Sequence, residues 1–213
     1  DLETTSLNAH LAEIVGFALS YSGSAAIYVP VAHRYLGVPK QLSLDSVLSI
    51  LGPILSSKDI PKAGQNIKYD MNVLAKYQIF VEGVRDDSML QAYVLDASRG
   101  SFSMDSLSKE LLQHEPVSYK SLTGTGKSQI GFDEVPIDAA ANYAAEDADI
   151  TERLCDLQKP KLEKSGVEHI YKDLELPLLS VLSRMECRGI KVDTDALQDM
   201  SKEFQQKLNT IES

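Results

Sequence analysis

The order of the apolar patterns along the chain limits the fold most strongly, because extended runs come first and helical ones follow. Residues 13–19 and 25–31 are two apolar, β-rich runs on either side of Ser22-Gly23-Ser24, which predicts a β-hairpin. This order predicts an α/β fold with a partly antiparallel sheet, followed by a helical extension from about Asp173. Helical spacing is found in residues 42–55, 69–77, 88–95, 138–162, 174–188 and 194–211.

Shorter signals lie between these elements. Ser43 is a predicted helix N-cap, and residues 63–66 end a predicted strand. Residues 116–136 are rich in Gly, Ser and Thr and predict a long surface loop. Within that loop, residues 124–128 (Gly-Thr-Gly-Lys-Ser) end like a phosphate-binding P-loop, but Ser121 stands where the full pattern requires Gly. The pattern therefore favours a basic loop over an ATP site.

Composition allows one sizeable core with a small appendage in these 213 residues. The net charge is 21 − 31 = −10, which by itself argues against a nucleic-acid partner. A metal-dependent nuclease is compatible with this charge because bound cations reverse the field of a carboxylate cluster. The negative net charge is also compatible with a DNA-acting chain whose main DNA-binding surface lies in another domain.

Several signals bear on the compartment. No apolar run approaches the roughly 20 residues that a membrane-spanning helix needs. The chain also lacks the pattern of a secretory signal. Cys155 and Cys187 are far apart and in no metal-binding pattern. They are predicted to be buried reduced thiols, which favours a cytoplasmic location.

Three short patterns carry carboxylates. Asp1 and Glu3 are two residues apart, so on a strand their side chains share one face. Two acids at that distance are costly unless a cation lies between them, although a solvated strand end is the alternative for this pattern alone. Tyr143 and Asp147 share one face of a predicted helix, which an ordinary amphipathic helix also explains. Asp70 lies at a predicted strand-to-helix junction, where a capping acid is the alternative.

In combination, the patterns D-x-E, N-x-x-Y-D and Y-x-x-x-D resemble the DEDD superfamily of 3′–5′ exonucleases, in its tyrosine-bearing branch. Longer strings are similar to the proofreading domain of the bacterial-type (family A) DNA polymerase I family. Further similar strings lie in residues 175–193, so the resemblance covers nearly the whole chain. The strings before this segment are Gly64-Gln65-Asn66-Ile67-Lys68-Tyr69-Asp70, Met104-Asp105-Ser106-Leu107 and Tyr143-Ala144-Ala145-Glu146-Asp147-Ala148-Asp149.

The resemblance implies an α/β, ribonuclease H-like fold with a five-stranded mixed sheet flanked by helices. Residues 1–172 would form the exonuclease domain, and residues 173–213 the helical start of the polymerase domain. The first strand would carry Asp1 and Glu3. A strand of ordinary length needs residues before Asp1, so we expect that the natural chain continues upstream.

The resemblance also implies a site with two divalent ions, for which hard oxygen ligands favour Mg²⁺ or Mn²⁺. Asp1, Glu3 and Asp147 would hold the ion that binds the attacking water. Asp1 would bridge to the second ion, beside the leaving 3′ oxygen, and Asp70 would hold that ion largely through water. Tyr143 would hydrogen-bond and orient the attacking water, since a phenol with a reference pKa of about 10 is a poor general base. None of the four histidines shows ligand spacing.

Contacts with the substrate are expected at five further positions. Leu7 matches a position where the family wedges an apolar side chain against the terminal base. Gln65, Asn66 and Tyr69 precede Asp70 in the chain and are candidates for contacts with sugar and phosphate. Tyr119 matches an aromatic position near the frayed strand, where stacking tolerates any base. For each position, packing or capping is the alternative.

The expected partners are a single-stranded or frayed DNA 3′ end and the polymerase domain of the same chain, in a monomeric cytoplasmic protein without membrane contact. Two other functions stay open. The chain could be a vestigial exonuclease domain, although all four carboxylates and Tyr143 are present. It could also be a ribonuclease D-like exonuclease acting on RNA, although the segment from Glu175 onward favours the polymerase.

Overall fold

The computed structural model describes residues 1–21 and 25–212. Its strands are β1 (Leu2–Thr4), β2 (Ile14–Leu19), β3 (Ile27–Pro30), β4 (Lys62–Gly64) and β5 (Val84–Asp87). Its α-helices are α1 (Leu44–Leu55), α2 (Ile67–Ala75), α3 (Ser88–Leu95), α4 (Met104–Leu107), α5 (Tyr119–Thr123), α6 (Ile137–Ser165), α7 (Glu168–Ile170), α8 (Leu176–Arg188) and α9 (Thr194–Glu212). Residues 108–112 and 171–175 form wider helical turns, and residues 126–128 and 132–134 form tighter ones.

The strands form two sheets. β1, β2 and β3 make an antiparallel sheet in that order, while β4 and β5 pair in parallel. The pairing of Phe17 with Val29 and of Ala18 with Tyr28 confirms the predicted hairpin of β2 and β3. The Ser22-Gly23-Ser24 turn predicted for it lies outside the described residues.

The described strands do not form the single five-stranded sheet that the resemblance implies. Parallel and antiparallel pairs are both present, but β1 and β4 have only three residues each and share no ladder in the described part of the chain. The free edge of β1 is used differently. The backbone amide of Leu2 lies close to the Asp70 carboxylate and favours its ionised form. The Asp70 side chain therefore takes a backbone donor on the free edge of β1.

One hydrophobic core nevertheless joins both sheets. Its buried side chains include Leu2 and Phe17 from the first sheet, Val73 from α2, and Leu179 from α8. Residues beyond the predicted start of the helical extension therefore contribute to the core, and α8 packs along α2. In contrast, α9 has no buried residue.

Local signals set several helix ends as predicted. The Ser43 hydroxyl accepts a hydrogen bond from the backbone amide of Ser46 at 3.2 Å and caps α1. Gly189 follows the last residue of α8 with φ of 68°, a conformation that is open to glycine at little cost. Residues 88–95 form α3 as predicted.

Two predictions are wrong. Residues 116–136 are not simply a surface loop, since they contain α5, and Phe132 and Val135 are each only 1 % exposed. The sequence pattern did not favour a P-loop at residues 124–128, and α5 precedes them where a P-loop has a strand. Cys155 is buried as predicted, but Cys187 is exposed. Among the described residues, no helix is both long and apolar enough to span a membrane.

Candidate active site

β1 presents its two acids on one face. Asp1 and Ala18 exchange both backbone hydrogen bonds, at 3.0 and 2.9 Å, and Glu3 lies opposite Gly16. The ladder register shifts directly after Glu3, between Glu3 and Thr4. Such a bulge bends the strand and is common beside active sites. The strand therefore offers two carboxylates to whatever covers this face.

Helix α6 covers that face. Ala144 and Ala148 pack against Ala18, and these small side chains let the helix approach the strand closely. The turn between the two alanines contains Asp147, and Tyr143 lies one turn earlier on the same face. The Tyr143 hydroxyl lies close enough to the Asp147 carboxylate to lower the pKa of that acid. The sequence patterns at residues 1–3 and 143–147 thus meet in space.

Three carboxylates come together at this contact. One ligand oxygen each from Asp1, Glu3 and Asp147 lies within 4.8 Å of the other two, and this is the group of potential metal ligands among the described residues. Glu3 is only 7 % exposed and Asp147 only 4 %, whereas Asp1 is exposed. Burial, followed by the charge of Asp147, raises the pKa of Glu3 to about 8. Burial also raises the pKa of Asp147 to about 7, against the lowering effect of the Tyr143 hydroxyl.

These residues fit a hard divalent cation. All the donors are oxygens, which Mg²⁺ and Mn²⁺ prefer. Burial is the main reason why the pKa values of Glu3 and Asp147 are raised, so the site disfavours their ionised forms in the absence of a cation. A bound cation would remove this conflict, because all three acids could then ionise at neutral pH.

Asp70 lies apart from this group of three, in the first turn of α2. Burial raises its pKa, and the charge of Asp87 raises it further. Asp87 fixes the start of α2, since its Oδ2 accepts a hydrogen bond from the Ile67 amide at 2.8 Å and its Oδ1 one from the Leu90 amide at 3.0 Å. Asp70 is thereby held at the edge of β1, next to Leu2. Its role as a metal ligand stays a prediction.

Tyr143 lies in an aromatic cluster. Its ring centroid is 5.8 Å from that of Phe132 and 6.3 Å from that of Tyr119, and the rings of Tyr119 and Phe132 stack with an interplanar angle of 15°. Burial, followed by the charge of Asp147, raises the pKa of Tyr143 well above its usual range. The phenol therefore keeps its proton and can donate or orient, but it cannot act as a general base at neutral pH.

The residues predicted to contact DNA differ in their exposure and in their bonds. Leu7 is 99 % exposed, and Tyr119 is 40 % exposed. The Tyr69 hydroxyl is hydrogen-bonded to the Ser6 carbonyl and to the Thr4 hydroxyl, which fixes the segment just before Leu7.

Gln65 and Asn66, the two other predicted contacts, each have a distinct place in the fold. The amide group of Gln65 donates to the Phe102 carbonyl at 2.9 Å and accepts from the Ser88 hydroxyl. Asn66 precedes α2 with φ of 54°, a left-handed conformation that Asn tolerates better than most residues. Contact with DNA stays a prediction for all five positions.

Sequence reasoning missed two residues that shape the site. Phe132 packs under Tyr143, but it lies in a stretch whose composition predicts a loop. Asp105 lies near enough to raise the pKa of Asp147, after the effects of burial and Tyr143. Only the string Met104-Asp105-Ser106-Leu107 gave a signal for Asp105, and this signal indicated a family and not a contact.

Comparisons with known proteins agree with this geometry. A family model described as 3′-5′ exonuclease matches residues 1–163. DNA polymerase I of Pseudomonas aeruginosa is 41 % identical over 215 residues, and that of Rhizobium leguminosarum is 42 % identical over 229. Both alignments cover 100 % of this chain but only 24 % and 22 % of the relatives. The chain thus spans about a quarter of the length of these curated relatives.

Solved structures share the fold. The POL domain of Pol1 from M. smegmatis, in complex with DNA primer-template and dNTP, has a TM-score of 0.75 at 21 % identity over 93 % of this chain and 30 % of that one. Brucella melitensis NrnC has a TM-score of 0.61 at 21 % identity over 91 % of this chain and 87 % of that one. A form of NrnC with bound Mg²⁺ is also similar, with a TM-score of 0.59. From the match over residues 1–163, the chain belongs to the 3′-5′ exonuclease family.

Proposed function

We propose that this chain removes nucleoside 5′-monophosphates from DNA 3′ ends, as the proofreading exonuclease of a longer DNA polymerase I. The observation that carries the proposal is the close group of Asp1, Glu3 and Asp147, of which the last two are buried, with the Tyr143 hydroxyl beside it, in a chain of the 3′-5′ exonuclease family. The similarity to two DNA polymerase I chains at 41 % and 42 % identity supports DNA as the substrate.

The mechanism assigns each side chain a separate task. Asp1, Glu3 and Asp147 would hold one divalent ion, and Asp1 with Asp70 a second; such a pair supplies an activated water and stabilises charge on the leaving 3′ oxygen. Tyr143, which keeps its proton, would turn from Asp147 to the attacking water and orient it. The wall formed by Phe132 and Tyr119 limits the positions that the Tyr143 ring can take.

Substrate selection would follow from the shape of the site and not from base recognition. Leu7 is fully exposed and its segment is fixed through Tyr69, so it is suited to wedge beneath a terminal base. The exposed part of Tyr119 offers a stacking surface. With a net charge of −10, the chain has little basic surface with which to bind duplex DNA. Firm binding of the primer–template would therefore depend on the rest of the polymerase.

The proposed domain division is the one that the family resemblance implies. Residues 1–172 would be the ribonuclease H-like exonuclease domain and residues 173–213 the helical start of the polymerase domain. In support, α9 carries an unpacked apolar stripe, which the polymerase part of the same chain would cover. The stripe consists of Leu197, Met200, Phe204, Leu208 and Ile211. The protein would act as a monomer in the bacterial cytoplasm, without membrane contact.

The decisive experiment follows the shortening of a 5′-labelled single-stranded DNA oligonucleotide, together with the release of nucleoside monophosphates, in Mg²⁺ and in Mn²⁺. We expect stepwise shortening from the 3′ end that EDTA abolishes and that Asp147→Asn lacks. Asp156→Asn is the matched control, because Asp156 is an exposed acid on the same helix. An inactive wild-type chain that folds normally would favour the vestigial alternative.

An RNA oligonucleotide of the same sequence tests the other alternative. We expect slower cleavage of RNA than of DNA. A higher rate on RNA would contradict the DNA assignment and favour a ribonuclease D-like function, while leaving the acid site itself in place.

A further inference from the structure

Tyr28 on β3 occupies the space that a side chain at Gly16 would fill. A Cβ atom built on Gly16 would lie 2.2 Å from the Tyr28 hydroxyl oxygen and 2.3 Å from its Cζ. Gly16 lies opposite Glu3 in the ladder of β1 and β2, and opposite residues point to the same face of a sheet. Their Cβ positions are about 5 Å apart in such a pair. The phenol of Tyr28 therefore borders the Glu3 side chain.

The hydroxyl of Tyr28 is fixed by a buried histidine. His33 Nδ1 lies 2.9 Å from the Val135 carbonyl oxygen, which can only accept, so Nδ1 carries a proton. In the neutral ring Nε2 is then an acceptor, and it accepts a hydrogen bond from the Tyr28 hydroxyl at 2.7 Å. The Tyr28 ring thus has a defined orientation next to Glu3.

The backbone of His33 is fixed as well. The Gln41 side chain accepts from the His33 amide and donates to the His33 carbonyl, both at 2.8 Å. A residue that only filled space would not need this set of directional bonds. The bonds keep His33, and through it Tyr28, in one position.

We propose that Tyr28, locked by His33, is a positioning residue that sets Glu3 relative to Asp147. The inference rests on the function proposed above. The series Glu3, Tyr28, His33 and Val135 runs from β1 to the segment directly before α6, the helix that carries Asp147. It therefore connects the two elements that supply the carboxylates. When the bond between Tyr28 and His33 is lost, the phenol can move, and the Glu3 carboxylate loses the wall beside it.

The alternative is that Tyr28 only packs. Its ring also lies in an apolar cluster with Ala18 and Ala144, and that contact does not need the hydroxyl. Tyr28→Phe keeps the ring and removes the bond, so this substitution separates the two possibilities. Tyr77→Phe is the matched control, because its hydroxyl donates to Glu13 at 2.9 Å on an exposed surface.

The test measures kcat and KM on a single-stranded DNA oligonucleotide, the Mn²⁺ concentration for half-maximal rate, and the rise in Tm on adding Mn²⁺. For Tyr28→Phe in the 213-residue chain we expect kcat to fall about tenfold or more, as is usual when a group behind a metal ligand is lost. The Mn²⁺ requirement should rise and the Mn²⁺-induced rise in Tm should shrink, while KM and the Tyr77→Phe control stay unchanged.

A pair of substitutions at His33 gives an independent test. His33→Leu should reproduce the effects of Tyr28→Phe. His33→Gln should restore most of the activity, because an amide oxygen can accept from Tyr28 and an amide NH₂ can donate to Val135. If Tyr28→Phe does not fold, this pair alone decides.

Two outcomes would overturn the proposal, and a third would separate it from the proposed function. Wild-type kcat and Mn²⁺ requirement in Tyr28→Phe would overturn the proposal, and so would equal activity of His33→Gln and His33→Leu. If the wild-type chain cleaves no DNA, the proposed function fails, but the Mn²⁺-induced rise in Tm still tests the positioning of Glu3.

Discussion

Substitution of Glu3 by Gln should stabilise the metal-free protein at alkaline pH while abolishing cleavage. Glu3 is buried and close to Asp147, and its pKa is raised from 4.5 to about 8. The folded state therefore binds the Glu3 proton more tightly than the unfolded state does. The stability that this group contributes is complete below pH 4.5 and is lost as the pH rises toward 8.

The size of the effect follows from the shift. A difference of about 3.5 pKa units corresponds to roughly 5 kcal/mol at 1.36 kcal/mol per unit, and this is an upper limit. Part of it belongs jointly to Glu3 and Asp147, because the ionisation of either acid raises the pKa of the other. We therefore expect Glu3→Gln to gain about 1–3 kcal/mol relative to wild type between pH 5 and pH 8.5, which is roughly 2–12 °C in Tm for a chain of this length.

The assay is urea unfolding in EDTA at both pH values, for wild type, Glu3→Gln and Glu163→Gln. Glu163 is an exposed glutamate near the end of α6 and serves as the control. A buried amide can cost stability by itself, but that cost does not depend on pH, so the change between the two pH values is the decisive quantity. A difference between Glu3→Gln and wild type that stays constant from pH 5 to pH 8.5 would refute the reasoning. Added Mn²⁺ should stabilise wild type more than the variant.

Three further predictions concern other parts of the site. Tyr143→Phe should slow cleavage by up to about 10²–10⁴-fold with nearly unchanged binding of single-stranded DNA, because only the orienting hydroxyl is lost; equal single-turnover rates would make Tyr143 a packing residue. The chain should cut mispaired 3′ ends faster than paired ones, since melting a paired terminus costs a few kcal/mol, and equal single-turnover rates on the two substrates would exclude fraying as the gate. Asp87→Ala should cost about 2–4 kcal/mol in urea unfolding, because the amides of Ile67 and Leu90 both lose their capping acceptor. Asp87→Asn should cost clearly less, and equal losses would contradict the capping role.

The acidic site could be predicted from the sequence because its geometry is local. Residues 1 and 3 of a strand share a face whatever the rest of the chain does, and residues 143 and 147 of a helix do so too. Spacing alone gave these two pairs. That the pairs meet was an inference from family resemblance, since no local pattern encodes the contact of β1 with α6.

Phe132 shows why other parts of the site could not be predicted. Its stretch has the composition of a loop, yet Asp133 is bound by Arg34, whose backbone amide donates to the Asp133 carbonyl at 2.6 Å and whose guanidinium pairs with the carboxylate. These bonds join residues far apart in sequence and bring Phe132 under Tyr143. Similarly, β5 has the sequence Val84-Arg85-Asp86-Asp87, which lacks an apolar pattern. Its pairing with β4 arises from tertiary contacts that a short window does not contain.

Burial of an acid does not by itself mark a catalytic residue. It also matters whether the fold supplies partners for the charge of that acid. Asp87 and Asp133 are both buried, but the first accepts two backbone N–H bonds and the second pairs with Arg34. These bonds stabilise both carboxylates within the fold, although burial still raises the pKa of Asp87. Glu3 and Asp147 are equally buried, yet they face each other, and their pKa values rise to about 8 and 7. A fold that keeps two such acids together loses stability at neutral pH unless a cation binds. Burial with so little compensation supports the proposed metal site at Glu3 and Asp147.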